Sequence, residues 1–320
     1  MKTATMLWLA AILSLVAPLP APAQSLAGGL RIVVPYAPGG ASDRAARLVA
    51  DGLKDRLQTT IVVENRTGAG GRLAMQQFKA TPAGQHVLVV GNPALMVVAP
   101  VVFKDVGYDA QRDFVPVSHI TNYDFAVAVG SAVPVREFNH LAAWLRANPE
   151  QANFGVPATG SLPHFFALMI ADSVGVKPQV VGYRGSAPSI TDLMAGTIPV
   201  AVDTLDALLP HESGGKISIL AMAGKKRSSM VPKIPTLLES GQNIVATGWN
   251  AMFAPASMPK ETVQRIGLAI RDVMRDKGMR EKFEAASMEP VSATPDETVR
   301  MLAAYRAQWE PVVKKSGFTQ

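Results

Sequence analysis

Residues 31–57, RIVVPYAPGGASDRAARLVADGLKDRL, decide the fold. Arg31 to Pro35 is a short apolar, β-branched run suited to a buried strand, and Tyr36 to Ala41 is a glycine-rich loop. From Ser42 to Leu57 the residues Ala46, Val49, Ala50, Leu53 and Leu57 fall near helical spacing, so a helix follows the turn. A second strand over Thr60 to Glu64, a helix over Leu73 to Ala80 and a third strand over His86 to Gly91 complete a βαβαβ unit. That rhythm predicts a parallel sheet covered by helices.

The rhythm resumes downstream. Strands are expected over Ala126 to Val129, Asn153 to Val156, Gln179 to Val181 and Pro199 to Asp203, with helices over Val135 to Ala147, Leu162 to Ser173 and Ala187 to Ala195. Ile217 to Ala223 and Trp249 to Ala254 read as further strands, and Lys260 to Arg275, Met279 to Ala286 and Pro295 to Lys315 as helices. Two α/β units with a helical tail imply two lobes and a cleft, the alternative being one large open sheet. In either arrangement the ligand loops lie at the carboxyl ends of the strands.

Composition narrows the function. The 320 residues are 48% hydrophobic and 18% charged, as in a globular protein. With no cysteine, disulfides, thiolate metal sites and thiol nucleophiles are excluded. The formal charge of +6 is modest and lacks a concentrated basic stripe, so no nucleic-acid partner is expected.

The first segment has the pattern of a secretory signal peptide: Lys2, an apolar run from Met6 to Ala17 broken only by Ser14, and then Ala21-Pro22-Ala23. Prolines 18, 20 and 22 cut the run well short of the roughly 20 apolar residues a spanning helix needs. Cleavage is expected after Ala23, and removal of 23 residues from 320 leaves 297, with loss of Lys2 taking the charge from +6 to +5. A soluble periplasmic chain without a lipid-acceptor cysteine is the expected product.

Three loops could carry chemistry. Pro38-Gly39-Gly40-Ala41-Ser42-Asp43 opens a helix after a strand, a favourable place for an anion, although its glycines also suit a simple turn and Ser42 a simple cap. Asn65 to Gly71 (NRTGAGG) is a second such turn, but Leu73 stands where a dinucleotide fingerprint requires its third glycine. Ala158 to His164 (ATGSLPH) mirrors the first loop from the other unit. Ser161 lacks the G-x-S-x-G setting of a hydrolase nucleophile, and His164 three residues later on the same helix is poorly placed for a triad. The histidines at 86, 119, 140, 164 and 211 show no metal-binding spacing, so neither metal nor cofactor is expected. Asp203 and Asp206 could receive an ammonium group or cap the next helix, and Lys225-Lys226-Arg227 reads as a solvated turn.

Taken together, VVPYAPGGASD (33–43), VVENRTGAGG (62–71), GNPALMVVAP (91–100), DFVPVSHI (113–120), TGSLPHF (159–165), GYRGSAPSITDLMAG (182–196), ILAMAGKKRSSMVPKIPTLLESG (219–241) and WNAMFAPASMP (249–259) resemble the Bug (TctC-like) receptors of tripartite tricarboxylate transporters. The resemblance implies a type II periplasmic binding fold, with lobe one over 24–123 plus 249–320, lobe two over 124–248, and the helical tail packed back on lobe one. It implies capture of a small carboxylate, amino-acid-like solutes included, for a membrane permease by a monomeric, non-enzymatic receptor. Signalling to a sensor protein and a secreted hydrolase are the alternative functions.

By the same resemblance, Tyr36, Ala37, Gly39, Gly40, Ser42 and Asp43 would grip the carboxylate, joined by Asn92 and Ala94. Lobe two would contribute Thr159, Gly160, Ser161, His164, Tyr183, Arg184 and Gly185, with Asp203 setting specificity. Arg184 in the cleft would favour a dicarboxylate, and in solvent a monocarboxylate or amide. The chain departs from the family where Gly182 replaces the proline before YRG, and where AGQH (83–86) replaces the usual DGY.

Overall fold

The computed structural model describes Leu26 and residues 28–212, 214–286 and 288–319. The expected signal peptide and its cleavage point lie outside the described residues. In lobe one, β1 (Leu30–Val34) runs parallel to β2 (Ile61–Asn65) and β3 (Val87–Gly91), with α1 (Ala41–Leu57) and α2 (Arg72–Lys79) as crossovers. In lobe two, β5 (Asn153–Val156) runs parallel to β6 (Gln179–Gly182) and β7 (Val200–Thr204). There α4 (Phe138–Ala147), α5 (Leu162–Val174) and α6 (Ser186–Ala195) surround the sheet.

Two long antiparallel strands join the lobes. β4 (Phe114–Gly130) pairs β9 (Thr247–Pro255) through its first part, then β7 and β8 (Ile217–Met222) through its second. Sequence periodicity finds only the end of this 17-residue strand, because Pro116 and the polar residues Ser118, His119, Thr121 and Asn122 obscure its first part. The parallel sheet expected from the βαβ rhythm is therefore interrupted by antiparallel pairs, since β4 and β9 cross between lobes. Among the described residues, further elements escape the sequence reading besides the 3-10 turns at Ala69–Gly71 and Pro149–Gln151. They are a π-helical turn over Ala94–Val98 running into α3 (Ala99–Val102), the helix α7 (Leu205–Glu212) and the two-residue strand β10 (Glu289–Pro290).

The core is built on both faces of this frame. One face of lobe one packs β1, β3 and β9 against α1, α8 (Lys260–Arg275) and α9 (Lys277–Ala285), burying Ile32, Val49, Leu53, Ile266 and Phe283 completely. In lobe two, α6, α7 and β8 bury Leu193, Leu208 and Met222. The third cluster spans both lobes, and α10 (Pro295–Lys315) inserts Leu302, Tyr305, Trp309 and Val313 into it. The tail is thus not confined to lobe one. Tyr305 donates to the Thr247 carbonyl at 2.6 Å, at the start of β9, while Lys315 reaches Asp172 of α5 at 3.2 Å.

Candidate functional site

The residues expected in lobe one gather at the ends of β1 and β3, but their polar groups are largely engaged with one another. Asp43 is 2% exposed, and its carboxylate accepts from the Gly39 amide at 2.8 Å, from Asn65 at 2.8 Å and from Arg47 at 3.0 Å. These bonds outweigh the cost of burial and hold Asp43 below the usual carboxylate range. Asn65 also donates to the Tyr36 carbonyl at 3.0 Å, so the strand end of β2 ties the loop at both ends. The Ser42 hydroxyl donates to Asn250 at 2.7 Å in the interior. The Tyr36 hydroxyl donates to Asn92 Oδ1 at 3.0 Å, and burial pushes the phenol well above its ordinary value. Ala37, Gly39 and Gly40 remain exposed, with Ala94 half-buried nearby on the π-helical turn.

Lobe two is arranged in the same way. The Gly160 amide donates to His164 Nδ1 at 2.9 Å, and the Ser161 hydroxyl donates to the Ala158 carbonyl at 2.6 Å. His164 is 7% exposed, and burial lowers its pKa, so the ring is kept neutral as an acceptor requires. The Tyr183 and Gly185 amides donate to the Val156 and Pro157 carbonyls, which lays the Tyr-Arg-Gly segment beside the 158–164 loop. The Tyr183 hydroxyl is held by Asp192 at 2.7 Å, while Arg184 is exposed.

Gly182 has a physical reason in this chain. A Cβ there would overlap the Thr159 hydroxyl and approach the Thr159 amide to 2.8 Å, so Thr159 fills the space a side chain would take. Asp203 is 2% exposed, with Oδ1 accepting from the Thr204 amide at 2.7 Å and Oδ2 buried without a partner. Burial pushes its carboxyl up to about 6, against the opposing hydrogen bonds of Ser186 and Thr204.

The loops leave helix ends open. α1, α5 and α6 begin at Gly40, Ser161 and Gly185, and none of these caps makes a side-chain hydrogen bond to its helix. Each start therefore presents backbone N–H groups and the positive end of a helix dipole. Arg44, which no sequence motif singles out, links the two lobes at this point. One guanidinium nitrogen donates to the Gly39 carbonyl at 2.8 Å, and another reaches Asp206 in the first turn of α7 at 3.2 Å. Beside the hinge a groove of ≈ 630 Å3 opens between the lobes, lined in part by Tyr123, Asp124, Asp206, Lys225, Arg280 and Glu289. None of the residues that the family resemblance places in the site lines it, whereas Asp206, the candidate ammonium partner, does and joins it to the first loop through Arg44. Among the described residues no group of acidic and histidine side chains could hold a metal, and no helix is long and apolar enough to cross a membrane.

Residues 45–318 match the tripartite tricarboxylate transporter family receptor, TctC. The chain belongs to that family. Protein BugT of Bordetella pertussis is 29% identical over 290 residues, covering 90% of this chain and 89% of that protein. The solved structure of Rhodopseudomonas palustris Rpa4515 with adipate superposes with a TM-score of 0.82 at 29% identity, covering 90% of this chain and 97% of the other. MatC from the same organism, with bound malate, gives 0.76 at 25% identity, covering 89% and 98%. The fold is that of the two-lobed periplasmic receptors, and the chain is a solute-binding receptor of this family, whose members are periplasmic.

Proposed function

We propose that the receptor captures a small carboxylate between its lobes without converting it, and hands it to the permease of a tripartite transporter. The observation that carries this reading is Arg44, which binds the Gly39 loop and Asp206 together and so sets the open starts of α1 and lobe two against one cleft. The open starts of α1, after Gly40, and of α5, after Ser161, would hold the carboxylate, with Ala37, Asn92, Ala94, Thr159, Arg184 and Gly185 shaping the walls. Ser42, Asp43, Gly39, Gly160 and His164 would act one step back, holding the loops in shape. Tyr36 and Tyr183 would pack beside them, and Asp203 would face the far end of the solute. The lobes would divide near Asp124 and Trp249, where β4 and β9 cross. Closure is then a hinge motion favoured by a solute that touches both lobes.

The test is thermal unfolding of the refolded receptor against adipate, malate, aromatic acids and amino acids. A ligand at 100 times its Kd adds about 2.7 kcal/mol, which raises Tm by about 5 °C at this size. A selective shift with the compound recovered unchanged supports the reading. Turnover of any compound, or no shift by any acid, overturns it.

A further inference from the structure

The C-terminal residues meet the lobe-two loop directly. Gly160 has φ +78°, and a Cβ placed on it would stand 2.8 Å from Cε1 of Phe318. The same ring lies edge-on to His164 at 5.1 Å and to Phe165 at 6.1 Å, while His164 stacks on Phe165 at 5.0 Å. His164 is in turn the acceptor for the Gly160 amide at 2.9 Å. Phe318 therefore touches both ends of the hydrogen bond that closes the turn.

The contact is built by the chain around it. The Ser316 hydroxyl donates to the Val313 carbonyl at 2.6 Å and accepts from the Phe318 amide at 3.1 Å, and Gly317 takes φ +65° to reverse the chain. Lys315 pairs with Asp172 of α5. From its middle α10 grips the hinge, through Tyr305 on the Thr247 carbonyl and Gln308 on the Val245 carbonyl. One helix thus joins the hinge to the lobe-two loop.

We propose that Phe318 is a positioning residue of the solute site, its ring holding the Gly160–His164 turn in the shape that receives the solute. The assignment rests on the carboxylate-receptor reading above. Without the ring, water reaches the imidazole, the Gly160 amide loses its fixed acceptor, and the start of α5 is no longer held in one geometry.

The test compares wild type, Phe318→Ala and Phe318→Leu by histidine side-chain NMR without solute, and by titration with the acid that most stabilises the wild type. In Phe318→Ala the His164 signals should lose their single tautomer and its pKa should rise toward 6.5, the ordinary value. Affinity should fall about tenfold. Phe318→Leu, which restores apolar volume, should return both toward wild type. Unchanged His164 signals in Phe318→Ala, or changed signals with unchanged affinity, overturn the proposal. A wild type that binds none of the acids defeats the carboxylate reading instead, and the His164 spectra still decide whether the ring holds the turn.

Discussion

Arg44 of α1 and Asp206 of α7 meet at 3.2 Å across the two lobes, with side-chain exposures of 39% and 17%. An ion pair this accessible is worth about 0–1 kcal/mol, enough to bias closure and too little to lock it. Asp206→Asn should therefore weaken solute binding by about two- to fivefold at low salt, and by less at high salt, where the wild-type pair is already screened. Calorimetric titrations at two ionic strengths check this. An equal loss at both would mean that Asp206 contacts the solute and does not act through Arg44.

Gly182 and Thr159 share one space, and the second prediction follows from it. Gly182→Ala puts a methyl group where the Thr159 hydroxyl sits and presses on the Thr159 amide at 2.8 Å. Backbone cannot yield as a flexible side-chain end can, so the 158–161 turn must shift. Affinity should fall at least about tenfold, with only a modest loss of Tm because Gly182 is exposed. Wild-type affinity in that variant would detach the turn from the site.

Much of this architecture is legible in the sequence, for a local reason. Asn153–Val156 and Lys260–Arg275 lie where the apolar pattern places them, because each buries one face against a neighbouring layer. The first part of β4 is hidden because it buries polar residues that pair with distant partners. Asn250, for example, donates to Thr121 at 3.0 Å, and Ser118 donates to the Ala293 carbonyl at 2.9 Å. The motif loops are equally visible, yet their internal bonding is not. Nothing local shows that Asp43 faces Gly39, Arg47 and Asn65, or that residue 318 returns to residue 160. Arg44 looks like any exposed helix charge until α7 is packed opposite it.

Ser42 separates structural from ligand roles within the first loop. Its hydroxyl donates to Asn250 Oδ1 at 2.7 Å, fully inside, so Ser42→Ala leaves a buried acceptor unpaired. Such a loss costs about 1–3 kcal/mol, which denaturant or thermal unfolding would detect. Solute affinity should stay within about twofold of wild type, since the backbone amide of the helix start is retained. Gly40 behaves in the opposite sense. A Cβ there meets nothing closer than the Ala37 carbonyl at 3.8 Å, so Gly40→Leu should fold normally and bind poorly.

The buried carboxyl of Asp203 sets a pH dependence whose sign is fixed. Its folded value, about 6, lies above the ordinary 3.8, so between these values the folded state holds a proton that the unfolded state has released. Its contribution to stability is therefore most favourable below pH 3.8 and declines as pH rises toward 6, after which the penalty stays constant. His164 opposes this trend, because its lowered pKa makes stability fall as pH drops below 6.5. Comparison with Asp203→Asn isolates the carboxyl. The amide oxygen can still accept from the Thr204 amide, while the charge that burial disfavours is gone. Relative to wild type, the variant should be more stable at pH 7 than at pH 4, in melts recorded across that range. A difference that does not vary with pH would show that the Asp203 carboxyl titrates normally and that its buried oxygen is solvated when charged.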